Sequence, residues 1–515
     1  MASNGSPVAD AERQDRAAEL VGGLGGAGVV VAGWGTAGRS AAAYLRSAGS
    51  SVTVVDGAFG APRDVDGMVQ IGVEEALADA GFWSRTRVLV VSPGFAPGHP
   101  LVVAAQVAEV PVWGEVELAW WVDRSGLTGA PRTWLVITGT NGKTTTTAML
   151  TAIVAAAGRP VAACGNFGTP VLDILTGEPG TEVLCVEASS FQLHWAPSLR
   201  PAAGVVLNVA EDHLDWHGGM PAYSAAKAVA LRGDVGVVGR DDPIAASLPV
   251  GPATRRVAFT LGEPADGELG VVGAELVDRA FSGGTALVGV DQVHPPGPSG
   301  RADALAAAAL ALAAGVPAAA IARGLASFEP AGHRGERVAR RHRASGAPVD
   351  FIDDSKATNP HAAAAAIAAR DRVVLIAGGL LKGASVDELI RGARDRLSAV
   401  VAIGRDRDEI VTAIARHAPE VPAVTVFTGD DGRVIAEKWV PDGDIPTGST
   451  QRDREQAAAV MTAAVRQAWD LARRDDTVDA VLLAPAAASL DMFDSYSARG
   501  DAFAAAAAAL PGDPR

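Results

Sequence analysis

"TGTNGKTTTT", Thr138–Thr147, follows the apolar run "WLVI" and leads into "AMLTAIVAAAG". A strand, a Gly-rich loop, Lys-Thr and a helix in that order form a phosphate cradle, in which successive backbone N–H groups face the anion at the positive end of the helix. The common longer loop has Gly five places before the Gly of Gly-Lys-Thr. Here that place holds Ile137, so the working loop is shorter and begins at Gly139. In such a cradle Lys143 bridges the terminal phosphates and the Thr144 hydroxyl ligates Mg²⁺. Thr138, Gly139, Thr140, Asn141, Gly142, Lys143, Thr144 and Thr145 are therefore the expected phosphate-binding run.

Outward from this loop, apolar runs alternate with Ala-rich helical stretches. They include "GVVVAG", "SVTVVD", "VLVVSPG", "WLVITG", "VLCVEAS", "AGVVLN", "VVLIAGG", "AVVAIG" and "AVLLAPA". That alternation predicts parallel α/β sheets with functional groups at the carboxyl edges of the strands. The 515 residues suggest about three domains. Polar stretches at 123–132 and 328–337 read as the joints. Residues 1–25 read as a disordered N-terminal arm without a secretory signal. The domains are then expected at 26–128, 129–328 and 329–515, with a Gly-, Pro- and charge-rich insertion at about 429–456. The uncharged run 304–322 approaches membrane-spanning length, but "GVP" at Gly315–Pro317 splits it, and two soluble helices are expected.

A net charge of -15 argues against nucleic acid or an anionic membrane as the main partner. Two cysteines, Cys164 and Cys185, allow no disulfide framework and fit a reducing cytoplasm.

In the first domain Gly33, Gly35 and Gly38 form G-x-G-x-x-G between a strand and a helix, and the next strand ends at Asp56. This fingerprint admits NAD, FAD, another diphosphate-linked ligand or a plain tight turn. "SPG" at Ser92–Gly94 is a second strand-end turn. In the middle domain Glu187 ends a strand, where a carboxylate could hold Mg²⁺. Asp212, His213 and Asp215 follow another strand end, and Lys227 lies on a helix beyond them.

"GTNGKT", "EASSFQL", "NVAEDHLD" with "AAK", "GHR" and "DDSKATN", in this order, resemble the Mur ligases of peptidoglycan synthesis over about 28–503. The short G-x-x-G-K-T loop is that family's form, shared with folylpolyglutamate synthases. "DDSKATN", Asp353–Asn359, resembles the D-glutamate-adding branch. The resemblance implies three α/β domains: an N-terminal Rossmann-like domain for a UDP-linked substrate, a central P-loop ATPase-type mononucleotide-binding domain, and a C-terminal Rossmann-like domain for the amino acid.

The implied substrates are UDP-N-acetylmuramoyl-L-alanine, D-glutamate and ATP, joined in the cytoplasm by a monomer through an acyl phosphate. The first fingerprint is thereby reassigned from NAD to the UDP-linked substrate, with Gly35, Thr36, Asp56, Gly57, Ser92, Gly94, Asn166, Ser189 and Gln192 as contacts. Thr144 and Glu187 would hold one Mg²⁺, and His213 and Lys227 a second. Family practice makes Lys227 a carbamate formed from CO₂, which turns a cation into an oxygen ligand. Lys143, Glu187, His213 and Lys227 form the implied catalytic set. Arg334, Asp354 and Lys356 match ATP-side positions, with Arg334 at the second joint. Thr358, Lys382, Ser489 and Tyr496 match D-glutamate positions.

Three features depart from the family pattern. Ser299 and Gly300 stand where a His-Asn pair helps hold adenine, Tyr496 replaces a common Phe, and the 429–456 stretch is long. Other readings are a sister ligase for another amino acid, a folylpolyglutamate synthase, or a UDP-muramoyl-binding regulator without catalysis. "DDSKATN" and the G-x-G-x-x-G domain weigh against the first two, and the retained Lys143, Glu187, His213 and Lys227 against the third.

Overall fold

The computed structural model describes residues 7–177, 180–330, 332–429, 433–438 and 454–510. Among these residues the strands form three sheets. The first runs, in spatial order, Arg63–Val65, Met68–Ile71, Ser51–Val55, Gly28–Ala32, Thr86–Val91, Val112–Gly114, with only its first strand antiparallel to its neighbour. The second runs Thr285–Gly289, Glu275–Asp278, Glu268–Val272, Arg255–Phe259, Val235–Gly239, Ala203–Val206, Thr133–Thr138, Val183–Glu187, Val161–Gly165. The third runs Glu336–His342, Pro348–Asp353, Ala480–Leu483, Val373–Gly378, Leu397–Ile403, Ala423–Thr428, Val434–Lys438, antiparallel only at its two ends.

This is a three-domain α/β architecture. All nine apolar runs quoted above contain strands. Their continuous Val, Ile and Leu content fits strands covered on both faces. The uncharged run forms two helices, Pro298–Ala313 and Ala318–Ala326, divided at the Gly-Val-Pro. Among the described residues no helix is long and apolar enough to cross a membrane.

The chain makes two compact units. One runs to His294 and takes in Gly300–Phe328; the other holds Pro295–Ser299 and continues from Glu329. The first two sheets share the first unit because one apolar cluster runs through both. Val29, Val31 and Leu45 of the first sheet's layer join Trp120 and Val122 of helix Glu115–Ser125, and these join Trp134, Val136 and Leu184 of the second. The Trp120 and Trp134 rings meet edge to face at 5.3 Å.

The polar stretch 123–132 is a buried ionic knot here. Asp123, fully buried, accepts from Arg132 Nη1 at 2.9 Å and Trp134 Nε1 at 2.9 Å, and pairs with Arg124. Asp123→Ala would leave the buried Arg132 guanidinium without its counter-charge, and a loss of about 3 kcal/mol in urea unfolding is expected.

The loose arm expected over 1–25 needs correction. Pro7–Gly22 is a helix packed on Glu115–Ser125, and Ala17, Val21 and Leu24 are buried, which the low overall hydropathy of this stretch concealed. Residues 1–6 lie outside the described residues. So does most of the 429–456 insertion, of which Val434–Lys438 pairs antiparallel with Ala423–Thr428 and Arg454 opens a helix.

A second buried acid, Glu115, accepts the Leu172 N–H at 2.8 Å. Burial pushes its carboxyl up to about 7, with the Asp173 charge adding to the rise. The folded state therefore holds more protons than the unfolded one between about pH 4.5 and about pH 7, and stability falls as pH rises through that window. Glu115→Gln removes this titration. In urea unfolding at several pH values the variant should gain on the parent with rising pH, by up to about 3 kcal/mol at the alkaline end.

Candidate active site

In the first unit the strand Thr133–Thr138 ends in the phosphate loop, and helix Lys143–Ala156 starts behind it. The loop is tied down from the neighbouring strand end. Asn208 accepts the Asn141 N–H at 2.8 Å through Oδ1 and donates to the Asn141 carbonyl at 3.2 Å. Thr140 Oγ1 accepts the Ala210 N–H at 2.9 Å, with the Tyr223 hydroxyl also 2.9 Å away.

Gly142 has φ +86°, and a Cβ there would come within 2.3 Å of Asp303 Oδ1. Both the backbone conformation and the space at this position call for glycine. Asp303, buried in helix Pro298–Ala313, also accepts from Thr146 Oγ1 at 3.2 Å.

Lys143 Nζ folds over the loop and donates to Gly139 O at 2.9 Å and Thr140 O at 2.8 Å. Lys227, 2% exposed at the end of helix Met220–Lys227, donates to the same Gly139 carbonyl at 2.9 Å. Its Nζ lies 4.5 Å over the Tyr223 ring. Burial, with the Lys143 charge adding to it, drives the Lys227 ammonium well below the usual lysine range, which favours the neutral amine.

Glu187 is buried at the end of Val183–Glu187. Its Oε1 accepts from Asn166 Nδ2 at 3.0 Å, while Oε2 is buried with no hydrogen bond. A carboxylate oxygen left so suits a cation. Thr144 is half-buried in the first turn of the helix. Among the described residues no three His, Cys, Asp or Glu side chains gather as a metal site. The donors expected from the sequence are instead Thr144 with Glu187, and His213 with Lys227. As a donor of hydrogen bonds Lys227 does not suit a cation, whereas a carbamate oxygen on it would.

His213 sits in left-handed backbone (φ +54°), its ring 4.7 Å from Phe191 and its Nε2 3.4 Å from Asp212 Oδ2. His217, beside it, meets Ser190 Oγ at 2.9 Å, and burial pushes its imidazole down to about 4.

The first sheet brings its own loops to the second. Asp56 accepts the Trp34 N–H at 2.7 Å and the Ala58 N–H at 2.9 Å, holding the Gly35–Thr36 turn against Gly57. Ser92 Oγ donates to Gly33 O at 3.3 Å. Gly94 O accepts from Trp216 Nε1 at 3.2 Å, next to His217. Ser189 and Gln192 engage each other as the capping box of helix Ser190–His194, so these two side chains already serve a structural end.

In the second unit Lys356 Nζ lies 5.5 Å over the Tyr496 ring. Arg334 is half-buried, and its charge opposes the effect of burial, which pushes the Asp354 carboxyl up to about 7. Thr358 is exposed after the strand Pro348–Asp353. Lys382 is exposed with φ +53°, and Ser489 is buried. The loops that carry these last two join through Leu380 and Ala488, each donating its N–H to the other's carbonyl at 2.9 Å.

Asp303, Tyr223 and Asn208 escape the sequence reading, although each leaves a trace. Asp303 is the acid just ahead of the uncharged run, Tyr223 lies one helical turn before Lys227, and Asn208 closes "VVLN".

Fold and site together define an α/β protein built round a phosphate loop. Residues 27–114 match the Mur ligase MurD-like N-terminal domain and residues 137–265 the Mur ligase middle domain. A protein of Rhodococcus jostii (strain RHA1) named UDP-N-acetylmuramoylalanine--D-glutamate ligase is 52% identical over 93% of this chain and 95% of its own. One of the same name from Mycobacterium avium (strain 104) is 54% identical over 93% and 96%. Among solved structures, MurF from Acinetobacter baumannii superimposes with a TM-score of 0.55 at 17% identity, covering 96% of this chain and 98% of its own, a likeness of fold. The chain belongs to the Mur ligase family.

Proposed function

We propose that this protein is an ATP-dependent ligase that adds D-glutamate to UDP-N-acetylmuramoyl-L-alanine in cytoplasmic peptidoglycan precursor synthesis, acting as a monomer. The observation that carries this reading is identity above 50%, over more than nine-tenths of the chain, to proteins named for that reaction. The phosphate loop described above supports it. We assign residues 26–128 to the UDP-linked substrate, 129–328 to ATP and 329–515 to D-glutamate.

In this reading the alanyl carboxylate attacks the γ-phosphate of ATP, ADP leaves, and an acyl phosphate forms. The D-glutamate amine then attacks the acyl carbon, a tetrahedral adduct collapses, and phosphate departs to leave an amide. The loop N–H groups and Lys143 hold the phosphates in line and offset charge that builds as the bond to ADP breaks. Asn166 steers the Glu187 carboxylate. Thr144 and Glu187 would hold one Mg²⁺, and His213 with a carbamate on Lys227 a second; these ions would supply further charge neutralisation. A neutral Lys227 amine is the form that adds to CO₂, so its burial favours the modification. Arg334, Asp354 and Lys356 are assigned to ATP, and Thr358, Lys382, Ser489 and Tyr496 to D-glutamate.

Phosphate release from ATP, measured with UDP-N-acetylmuramoyl-L-alanine and each of D-glutamate, L-glutamate, L-lysine and glycine, tests the reading. Release that requires D-glutamate supports it. Preference for another amino acid, or release independent of any, rejects it.

A further inference from the structure

Arg499 has no part in the chemistry above and is nonetheless among the most deeply buried side chains, 1% exposed in helix Tyr496–Ala508. Its guanidinium uses all three nitrogens. Nε donates to Ser355 Oγ at 3.0 Å, Nη2 to Ser355 O at 2.9 Å and Nη1 to Ala487 O at 3.0 Å. Ser355 Oγ in turn donates to Tyr496 O at 2.8 Å.

The same guanidinium lies beneath the Gly378–Gly379 turn. A Cβ on Gly379 would come within 3.3 Å of Nη1. One planar fork thus meets three segments at the carboxyl edges of neighbouring strands: "DDSKATN" three residues before Thr358, "AGGLLKG" three before Lys382, and "APAAAS" two before Ser489. It also stands three residues after Tyr496. These four residues are the ones assigned above to D-glutamate. With all three of its nitrogens bonded to Ser355 and Ala487, Arg499 is engaged by the protein's own loops, and its role is to fix the spacing of the residues that meet the amino acid.

We propose that Arg499 is the positioning residue of the amino-acid pocket, setting the mutual register of the Thr358, Lys382, Ser489 and Tyr496 segments and hence the affinity and orientation of D-glutamate. This rests on the ligase reading. Lysine cannot replace it, because an ammonium lacks the rigid fork that reaches Ser355 and Ala487 together.

The experiment compares Arg499→Lys and Ser355→Ala with the parent enzyme in two assays. The first is steady-state ligation. The second is ADP–ATP isotope exchange with UDP-N-acetylmuramoyl-L-alanine and no amino acid, which reports acyl-phosphate formation alone. For Arg499→Lys the D-glutamate KM should rise about ten-fold or more and kcat fall, since displacement of a reacting group by ~1 Å costs up to about 10²-fold. Exchange and the KM for ATP should stay within about two-fold. Ser355→Ala removes one of the three contacts, and a smaller change in the same direction is expected, which keeps the test open if Arg499→Lys folds poorly.

An unchanged D-glutamate KM in both variants, or exchange falling in parallel with ligation, overturns the positioning role while the ligase reading stands. A parent enzyme whose phosphate release ignores D-glutamate overturns both.

Discussion

Lys143→Ala should lower ATP-driven ligation by about 10³-fold, the scale on which a preorganised donor to developing charge is lost. Lys143 Nζ is held by the Gly139 and Thr140 carbonyls at 2.9 and 2.8 Å, so it is placed on the loop before any phosphate arrives. The loop itself is fixed by Asn208 and Thr140 and should survive the change. Thermal melting should accordingly shift little while turnover collapses. A melting point that fell with activity would mean the lysine is part of the loop's framework instead. Lys143→Arg should rescue poorly, because the bulkier planar head does not fit where a compact ammonium bonds two adjacent carbonyls.

Lys227→Ala is expected to be about as damaging, for a different reason. If Lys227 carries a carbamate, alanine removes the oxygen that the proposed second Mg²⁺ site would take from it. Intact-mass and peptide mass spectrometry under non-acidic conditions should find the mass of one CO₂ on Lys227. Activity of the parent enzyme should fall on rigorous removal of CO₂ and return with bicarbonate, and Lys227→Ala should not respond to bicarbonate. Full activity from demonstrably unmodified lysine would sink the idea. The buried position of this amine, with a second lysine on the same carbonyl, disfavours its charged form.

Much of this was legible in the sequence because parallel strands buried on both faces announce themselves as unbroken apolar runs, and because Gly142-Lys143-Thr144 sits where a strand must turn into a helix. The nine strands follow from those runs, and the split of the Ala-rich helix from the Gly315-Val316-Pro317 breaker. Other parts depend on contacts between residues far apart in the chain. Asp303 lies under Gly142 across more than 150 positions, and its place just ahead of the uncharged run does not by itself reveal that contact. Arg499 reads as an ordinary helical cation until its partners Ser355 and Ala487 are in place. The helix Pro7–Gly22 was hidden because its charged residues mask a short apolar stripe that matters only against Glu115–Ser125. Ser189 and Gln192 show the reverse case: the S-x-x-Q spacing was a capping box in plain view.

The apolar cluster that passes from Val31 through Trp120 and Trp134 to Val136 also bears on how this protein can be taken apart. A stretch rich in Gly, Pro and charge, such as 123–132, invites the cut that would separate two folding pieces. Here such a cut would strip each piece of its share of a common interior and expose indole rings to water. The first two sheets should therefore unfold in a single cooperative step and be inherited together, so that the smallest fragment worth expressing from this half of the chain contains both.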